Sequence, residues 1–390
     1  MQTLAWVLVF APVGMAAYAY AVYPALLVFF ARMRTVKPAV PHAANQPLVT
    51  IVVPAYNEAR QIRGAIEALI AQDYPAGRRQ ILIVSDGSTD GTDAIVREFE
   101  SRGVELLRTA ERGGKTAAEN AARERIRGEI VVNSDASIRL HPRAVSALVA
   151  QMADPSVGVA SSRDVSIAHS QSGANTTEAG YVGYEMHIRS LETRLGGIVG
   201  ASGSGYAIRA ALHMIPVRAD LSRDFSAALT ACANGFRAVS ADDAICYVPR
   251  TPSLQIEYRR KVRTIARGVR TLIANRRLLN PFRSGLFAWK LASHKICRWL
   301  VPALLPGAVI GLVMLGADQW WARVALILGA AGAAAATAGA LWPASRPLPR
   351  LLSTLTFAAA ANVAVVHAIA RVVLGRDTRL WEPTRRESPA

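Results

Sequence analysis

In its middle the chain alternates short apolar runs with amphipathic stretches, and towards both ends it becomes almost wholly apolar. Leu48–Val53 is rich in β-branched residues, stops at Pro54, and reads as a buried parallel strand. Within Glu58–Gln72, the residues Ile62, Ala65, Ile66, Leu69 and Ile70 fall at helical spacing. Gln80–Val84 predicts a second strand and Asp90–Arg102 a second helix. Val104–Leu107, the Ala-rich helix Thr116–Ile126 and the strand Glu129–Asn133 continue the alternation, which predicts a doubly wound α/β core. Beyond residue 150 the pattern thins. It gives a strand over Val157–Ser162, helices over Thr177–Leu195 and Phe225–Asn234, a strand-like run Arg237–Tyr247 and a basic helix over Glu257–Asn280.

The ends read differently. Residues 1–31 carry no charge, and neither do Trp299–Ala317, Val324–Ser345 or Leu351–Ala370. Each is close to the ~20 residues that cross a bilayer core. The first run contains Ala17-Tyr18-Ala19, which resembles a signal-peptidase site. It lacks a basic start and stays apolar past that point, so an uncleaved anchor is expected. Phe282–Leu300 mixes Phe287, Trp289 and Leu291 with Lys290, Lys295 and Arg298, as a helix in the membrane interface does. The expected organisation is an anchor over 1–37, a catalytic α/β domain over 48–280, an interface helix over 281–300, transmembrane helices over 301–374 and a basic tail over 375–390. The Pro-rich linker Pro38 to Pro47 joins the first two parts.

Charge adds orientation. The balance is +17, from 45 Lys plus Arg against 28 Asp plus Glu, which suits nucleic acid, an anionic membrane face or an anionic substrate. Arg32, Arg34 and Lys37 directly follow the first apolar run, which predicts a cytoplasmic central domain in the cell membrane. Three later spans would leave the tail outside, yet Arg376, Arg379, Arg385 and Arg386 favour the cytoplasm; Leu351–Ala370, holding Asn362 and His367, is the weakest span. Cys232, Cys246 and Cys297 form no metal spacing and read as reduced thiols. The seven histidines form no HExxH motif.

Against this background stand four acidic landmarks: VVPAYNE at 52–58, SDGSTDGT at 85–92, NSDAS at 133–137 and RDF at 223–225. An α/β sheet binds nucleotides at the carboxyl ends of its strands. Asp86 follows a strand and either accepts hydrogen bonds from a base or ribose, or caps a turn with Gly87 and Gly91. Tyr56 could stack on a base, and Glu58 could hold a ribose or merely start a helix. Asp135 ends an apolar strand and suits a metal bridging two phosphates, which needs only one or two carboxylates; the alternative is an Asx turn. Asp224 is either a helix cap or a general base for an attacking hydroxyl. In EYRRKVRTIARG at 257–268, Arg259, Arg260 and Arg263 form either a lipid-facing basic face or a clamp on a diphosphate.

VVPAYNE, SDGSTDGT, GGKTAAEN, NSDAS, GSGYAIRA and RDF, in this order, resemble the inverting family 2 glycosyltransferases of GT-A fold. The likeness covers about residues 48–270, and the flanking spans match the membrane-bound, polysaccharide-synthase-like branch. It implies a Rossmann-like nucleotide-sugar domain. It also implies a donor, usually a UDP-sugar, held by Pro54, Tyr56, Glu58, Asp86, Lys115 and Ser134, with Mg²⁺ or Mn²⁺ at Asp135. Asp224 would be the base, and Arg259, Arg260 and Arg263 would face the departing diphosphate. The chain departs from the family in having one aspartate in NSDAS where many relatives have two. It has RDF for an acidic pair, and it lacks the Gln-x-x-Arg-Trp element of processive synthases.

The expected function is sugar transfer to a glycan hydroxyl in cell-surface polysaccharide synthesis. The alternatives are transfer to a polyprenyl-phosphate or other lipid-linked acceptor, and a catalytically degenerate scaffold or transporter subunit. A nucleic-acid partner is not expected, because the basic residues cluster beside the spans and no binding motif accompanies them.

Overall fold

A computed structural model describes residues 1–33, 46–167, 173–249, 253–343 and 348–376. The apolar runs of the first half pair side by side. β1 (Val49–Ala55), β2 (Arg79–Ser85), β3 (Val104–Arg108) and β4 (Ile130–Ser134) are mutually parallel in the spatial order 3-2-1-4. All seven residues of β1 are buried, because helices cover both faces of the sheet. Alternate residues serve opposite sides. Val49, Ile51 and Val53 pack with Ile62 and Ile66 of the helix Ile62–Ile70, whereas Val52 packs with Ala118 and Ala122 beneath the other face.

The second half completes an eight-stranded sheet of order β3-β2-β1-β4-β7-β6-β8-β5. Its strands are β5 (Arg139–Leu140), β6 (Val157–Ile167), β7 (Gly205–Arg209) and β8 (Arg237–Pro249). β7 runs antiparallel to β4, with Gly205 opposite Ser134. The turn before β7 therefore lies against the carboxyl end of β4. β5, β7 and the helix Ala144–Gln151 are not among the elements the hydrophobic pattern predicts. β5 is two residues long, and β7 is five residues that open on Gly205, too short to show an alternation.

Among the described residues four helices are long and apolar enough to cross a membrane: Gln2–Arg32, Leu286–Leu315, Trp320–Ala340 and Arg350–Val373. The expected interface segment and the next span form one helix from Leu286, passing through a π-helical turn at Ala292–Cys297. Glycine brings helices close. A Cβ on Gly311 would lie 2.7 Å from the Ala5 carbonyl oxygen, so the first two long helices touch backbone to backbone. Two polar groups of the last helix, Asn362 and His367, are partnered. Asn362 Nδ2 donates to the Ala358 carbonyl at 2.8 Å, and His367 Nδ1 is 2.9 Å from the Tyr258 hydroxyl. That hydroxyl sits on the helix Leu254–Ala274, which packs Val262 and Ala266 against Ala364 and Ala368. Most of the Pro-rich linker, together with Arg34, Lys37 and the tail residues Arg379, Trp381, Arg385 and Arg386, lies outside the described residues.

Candidate active site

The carboxyl ends of β1, β2 and β4 meet the start of β7 and the first turn of the helix Arg223–Ala233. The loops after β1 and β2 are laced together. Asn57, at φ 52°, accepts the Thr89 N–H at 2.8 Å; Glu58 N–H donates to Thr92 Oγ1 at 2.9 Å; Ala59 N–H donates to Asp90 Oδ2 at 3.0 Å. Asp90 works within this lacing. Burial pushes its carboxyl up, but the bonds from Thr92 and Ala59 outweigh burial and hold it below the usual range. Pro54 lies within β1 opposite Val84, and Glu58 is buried. The Tyr56 ring carries the Arg112 guanidinium, 3.8 Å from its centroid.

Asp86 is fully buried and grips a loop. Its Oδ1 accepts the Gly113 N–H at 2.8 Å and its Oδ2 accepts the Gly114 N–H at 2.7 Å. Gly114 precedes the helix Lys115–Ala121, so this carboxylate fixes where Lys115 begins. Lys115 Nζ donates to Asp135 Oδ1 and, at 3.3 Å, to the Gly203 carbonyl. Burial opposes the charge on Lys115, yet Asp135, Glu119 and Asp224 together raise its pKa above the ordinary value. Ser134 Oγ donates to the Ser204 carbonyl at 3.0 Å, which closes β4 onto the same turn.

Asp224 occupies the first turn of its helix and accepts the Ser222 hydroxyl. It lies directly over Gly203, where an added Cβ would be 3.1 Å from Asp224 Oδ2. Lys115, Asp135, Gly203 and Asp224 thus form one cluster. The adjacent Arg223 turns away from it. Arg223 is buried, donates to Asn120 Oδ1 at 2.5 Å and to the His213 carbonyl at 2.8 Å, and stands 3.9 Å from Glu119. Glu119 is fully buried, and its pKa is raised, by burial first and against the pull of Lys115 and Arg223. Glu119, one turn after Lys115, and Arg223 form the floor of the cluster. The i, i+4 spacing of Lys and Glu in GGKTAAEN is the signal that points to that floor.

The basic helix Leu254–Ala274 reaches the site through Arg267. Arg260 pairs with Glu257 at 2.7 and 2.8 Å, and Lys261 lies over the Phe357 ring at 3.8 Å. Arg259 and Arg263 share that helix two turns and one turn before Arg267. Arg267 Nη2 reaches Thr116 Oγ1 at 2.8 Å and the carbonyls of Ala219 and Leu221 at 2.7 and 2.6 Å. It ties this helix to the start of the Lys115 helix and to the segment leading into Asp224.

Among the described residues no three His, Cys, Asp or Glu side chains gather as a ready metal cage. Asp135 is a single carboxylate at a strand end, already matched to a cation by Lys115. Such a donor set fits a divalent ion that takes its other ligands from a diphosphate and water.

Comparison with known proteins gives this geometry a class. Residues 50–211 match the family described as Glycosyl transferase family 2. The chain is similar to Glycosyltransferase AglE of Haloferax volcanii, at 35% identity over 97 residues, which are 24% of this chain and 32% of that protein. It is also similar to an N-acetylglucosaminyltransferase of Bradyrhizobium diazoefficiens, at 25% identity over 70% of this chain and 60% of that one. In each case it spans less than two thirds of the relative's length. The fold matches that of the mannosyltransferase PcManGT from Pyrobaculum calidifontis, solved with GDP-Man and Mn²⁺, with a TM-score of 0.74, 23% identity, and coverage of 96% and 99% of the two chains. The architecture is therefore GT-A, with four apolar helices flanking it.

Proposed function

We propose that the protein is a membrane glycosyltransferase that moves a sugar from a nucleotide-sugar to an acceptor hydroxyl with inversion at the anomeric carbon. The observation that carries this reading is the convergence of Lys115, Asp135 and Asp224 on the Gly203 turn, at the strand ends where an α/β sheet binds nucleotides. In the proposed reaction the Asp224 carboxylate takes the proton of the acceptor hydroxyl. That oxygen forms a bond to the anomeric carbon as the bond to the donor phosphate breaks, and a nucleoside diphosphate leaves. Lys115 faces the departing charge, and Tyr56, Glu58 and Asp86 frame the nucleoside pocket. Asp135 would hold Mg²⁺ or Mn²⁺, which when bound supplies charge stabilisation to the diphosphate.

The donor is read as a UDP-sugar, as the family resemblance implies. The four long apolar helices and the cations after the first of them support an integral protein of the cell membrane with this domain on the cytoplasmic side. Polysaccharide assembly is the context read from the flanking helices. The second reading, transfer to a lipid-linked acceptor, is favoured by the direct packing of the Asp224 helix against the helix Leu286–Leu315: Phe225 and Leu229 share a core with Leu291.

The test is release of nucleoside diphosphate by the full chain in detergent, across a panel of nucleotide-sugars, with and without Mn²⁺. Metal-dependent release that Asp135→Ala loses establishes the activity and names the donor. Absence of both release and metal-dependent donor binding would sink it and leave the degenerate scaffold.

A further inference from the structure

The turn Ser202–Ser204 carries much of the proposed site. Its Gly203 carbonyl accepts from Lys115 at 3.3 Å, its Ser204 carbonyl accepts the Ser134 hydroxyl at 3.0 Å, and Asp224 lies over Gly203. The turn belongs to no helix or strand, so no regular ladder fixes its shape. The N–H groups at its two ends go to hydroxyls. Ser202 N–H donates to Ser161 Oγ at 2.8 Å, and Ser204 N–H donates to Ser202 Oγ at 3.1 Å. A hydroxyl rotates to suit its surroundings, so a turn built on hydroxyls needs a group that fixes them.

Asp164, which stands outside the four acidic landmarks, is that group. Its Oδ2 accepts the Ser202 hydroxyl at 2.6 Å and the Ser204 hydroxyl at 3.3 Å, and its Oδ1 accepts the Ser162 hydroxyl at 3.4 Å. With its proton committed to Asp164, the Ser202 oxygen turns its lone pairs to the Ser204 N–H. β6 pairs antiparallel with β7 up to Ser161 opposite Tyr206, and three residues further on it places Asp164 beside the turn that leads into β7. The pairing of β6 with β8 shifts register between Ser161 and Arg163. Such irregularities re-aim side chains next to active sites. The buried Arg189 supplies the matching charge to Asp164 and donates to Ser161 Oγ. Hydrogen bonds to an ionised acceptor are stronger than neutral ones, so a carboxylate holds this turn more firmly than a neutral acceptor would.

We propose that Asp164 is a positioning residue of the sugar-transfer site: through the Ser202 and Ser204 hydroxyls it fixes the Gly203 turn, and through that turn the places of Asp224 and Lys115. This rests on the glycosyltransferase reading and deepens it by naming a residue that acts on the reacting groups without touching donor or acceptor. A carboxylate that only satisfied buried hydroxyls would support the fold. One that sets the turn governs the rate of the bound complex, because small displacements of a reacting group are costly.

The test uses the full chain in detergent, with the donor that the nucleotide-sugar panel selects. It follows nucleoside diphosphate release, donor affinity and the melting midpoint. Asp164→Ala is expected to lower kcat about ten-fold or more while the donor KM stays within about three-fold. Ser202→Ala should do the same, and the two changes together should cost little more than either alone, since both remove one bond. Asp164→Asn keeps an acceptor oxygen for the Ser202 hydroxyl and should recover part of the turnover. A merely structural role would lower melting and donor affinity and leave kcat alone. Unchanged kcat in an Asp164→Ala protein that binds donor would overturn the proposal, as would losses that simply multiply in the double variant. Should Asp164→Ala fail to bind donor, Ser202→Ala carries the test, and unchanged kcat there counts equally against it. A wild-type chain that neither releases nucleoside diphosphate nor binds any donor with metal would instead sink the glycosyltransferase reading, and this proposal with it.

Discussion

Lys115 and Asp135 form an ion pair that bridges the start of one helix and the end of β4, and the Lys115 ammonium also holds the Gly203 carbonyl under Asp224. Two proposed roles, charge stabilisation and donor placement, therefore share one contact. Asp135→Ala should abolish metal-dependent donor binding and cut turnover by about 10²–10³-fold, and Lys115→Ala should cut turnover by about 10²-fold. Because each leaves the other's charge unmatched, the double variant should be no slower than the worse single one. Turnover and donor titration of all four proteins, with Mn²⁺ and after chelation, give the coupling directly. Additive losses would show that the pair does not act as a unit.

Gly203 is a packing requirement of the proposed base. An added methyl would stand 3.1 Å from Asp224 Oδ2, closer than nearly all real Cβ contacts, so the carboxylate or the turn has to shift. Gly203→Ala should lower kcat by about ten-fold or more, since small misplacements of a reacting group are costly. The KM for the donor should change little. A variant with unaltered kcat would show that Asp224 does not need its present position.

Asp86 is read as part of the nucleoside pocket, yet in the structure both carboxylate oxygens are engaged by the Gly113 and Gly114 N–H groups. Hydrogen bonds to a charged acceptor contribute about 1.5–3 kcal/mol each. Asp86→Ala should lower the apparent melting midpoint as well as donor affinity, because the Lys115 helix loses its start. Asp86→Asn keeps one good acceptor and should lie between. Melting curves and donor titrations of the two variants check this. A loss of affinity with no change in melting would make Asp86 a ligand contact only.

How far the sequence reaches is clear from particular residues. β1, β2, β3 and β4 lie within two residues of their expected bounds, because parallel strands covered on both faces must be continuous apolar runs. Asp135 and Asp224, about ninety positions apart, carry recognisable local motifs, and the sheet brings their ends together. β7 is not legible, since five residues beginning Gly-Tyr give too little alternation, and with it goes the Gly203 turn that organises the cluster. The arginines show the other limit. EYRRKVRTIARG identifies a basic helix, but which guanidinium faces the site depends on how that helix rolls against Arg350–Val373, a tertiary matter. That roll puts Arg260 on Glu257 and Arg267 on the Thr116 and Leu221 oxygens.

His213 makes the fold sensitive to acid. It is almost fully buried, and burial, reinforced by the Arg223 guanidinium, holds its pKa well below the ordinary 6.5. The folded state therefore keeps the imidazole neutral at a pH where the unfolded chain has already taken up a proton. Stability from this group is fully present above about pH 6.5 and is lost as pH falls towards the depressed folded value, at up to about 1.4 kcal/mol per pH unit. The apparent melting midpoint of the full chain should drop between about pH 7.5 and pH 5.5. His213→Gln removes the titrating group, so its midpoint should fall less over the same range, even if it starts slightly lower. The Arg223 link predicts more: its guanidinium donates to the His213 carbonyl and to Asn120, beside the floor of the Lys115 cluster. Acid that charges His213 should therefore loosen Lys115 as well, and donor affinity should fall in parallel with the midpoint in the wild type but not in His213→Gln. Identical pH profiles for the two proteins would remove His213 as the cause.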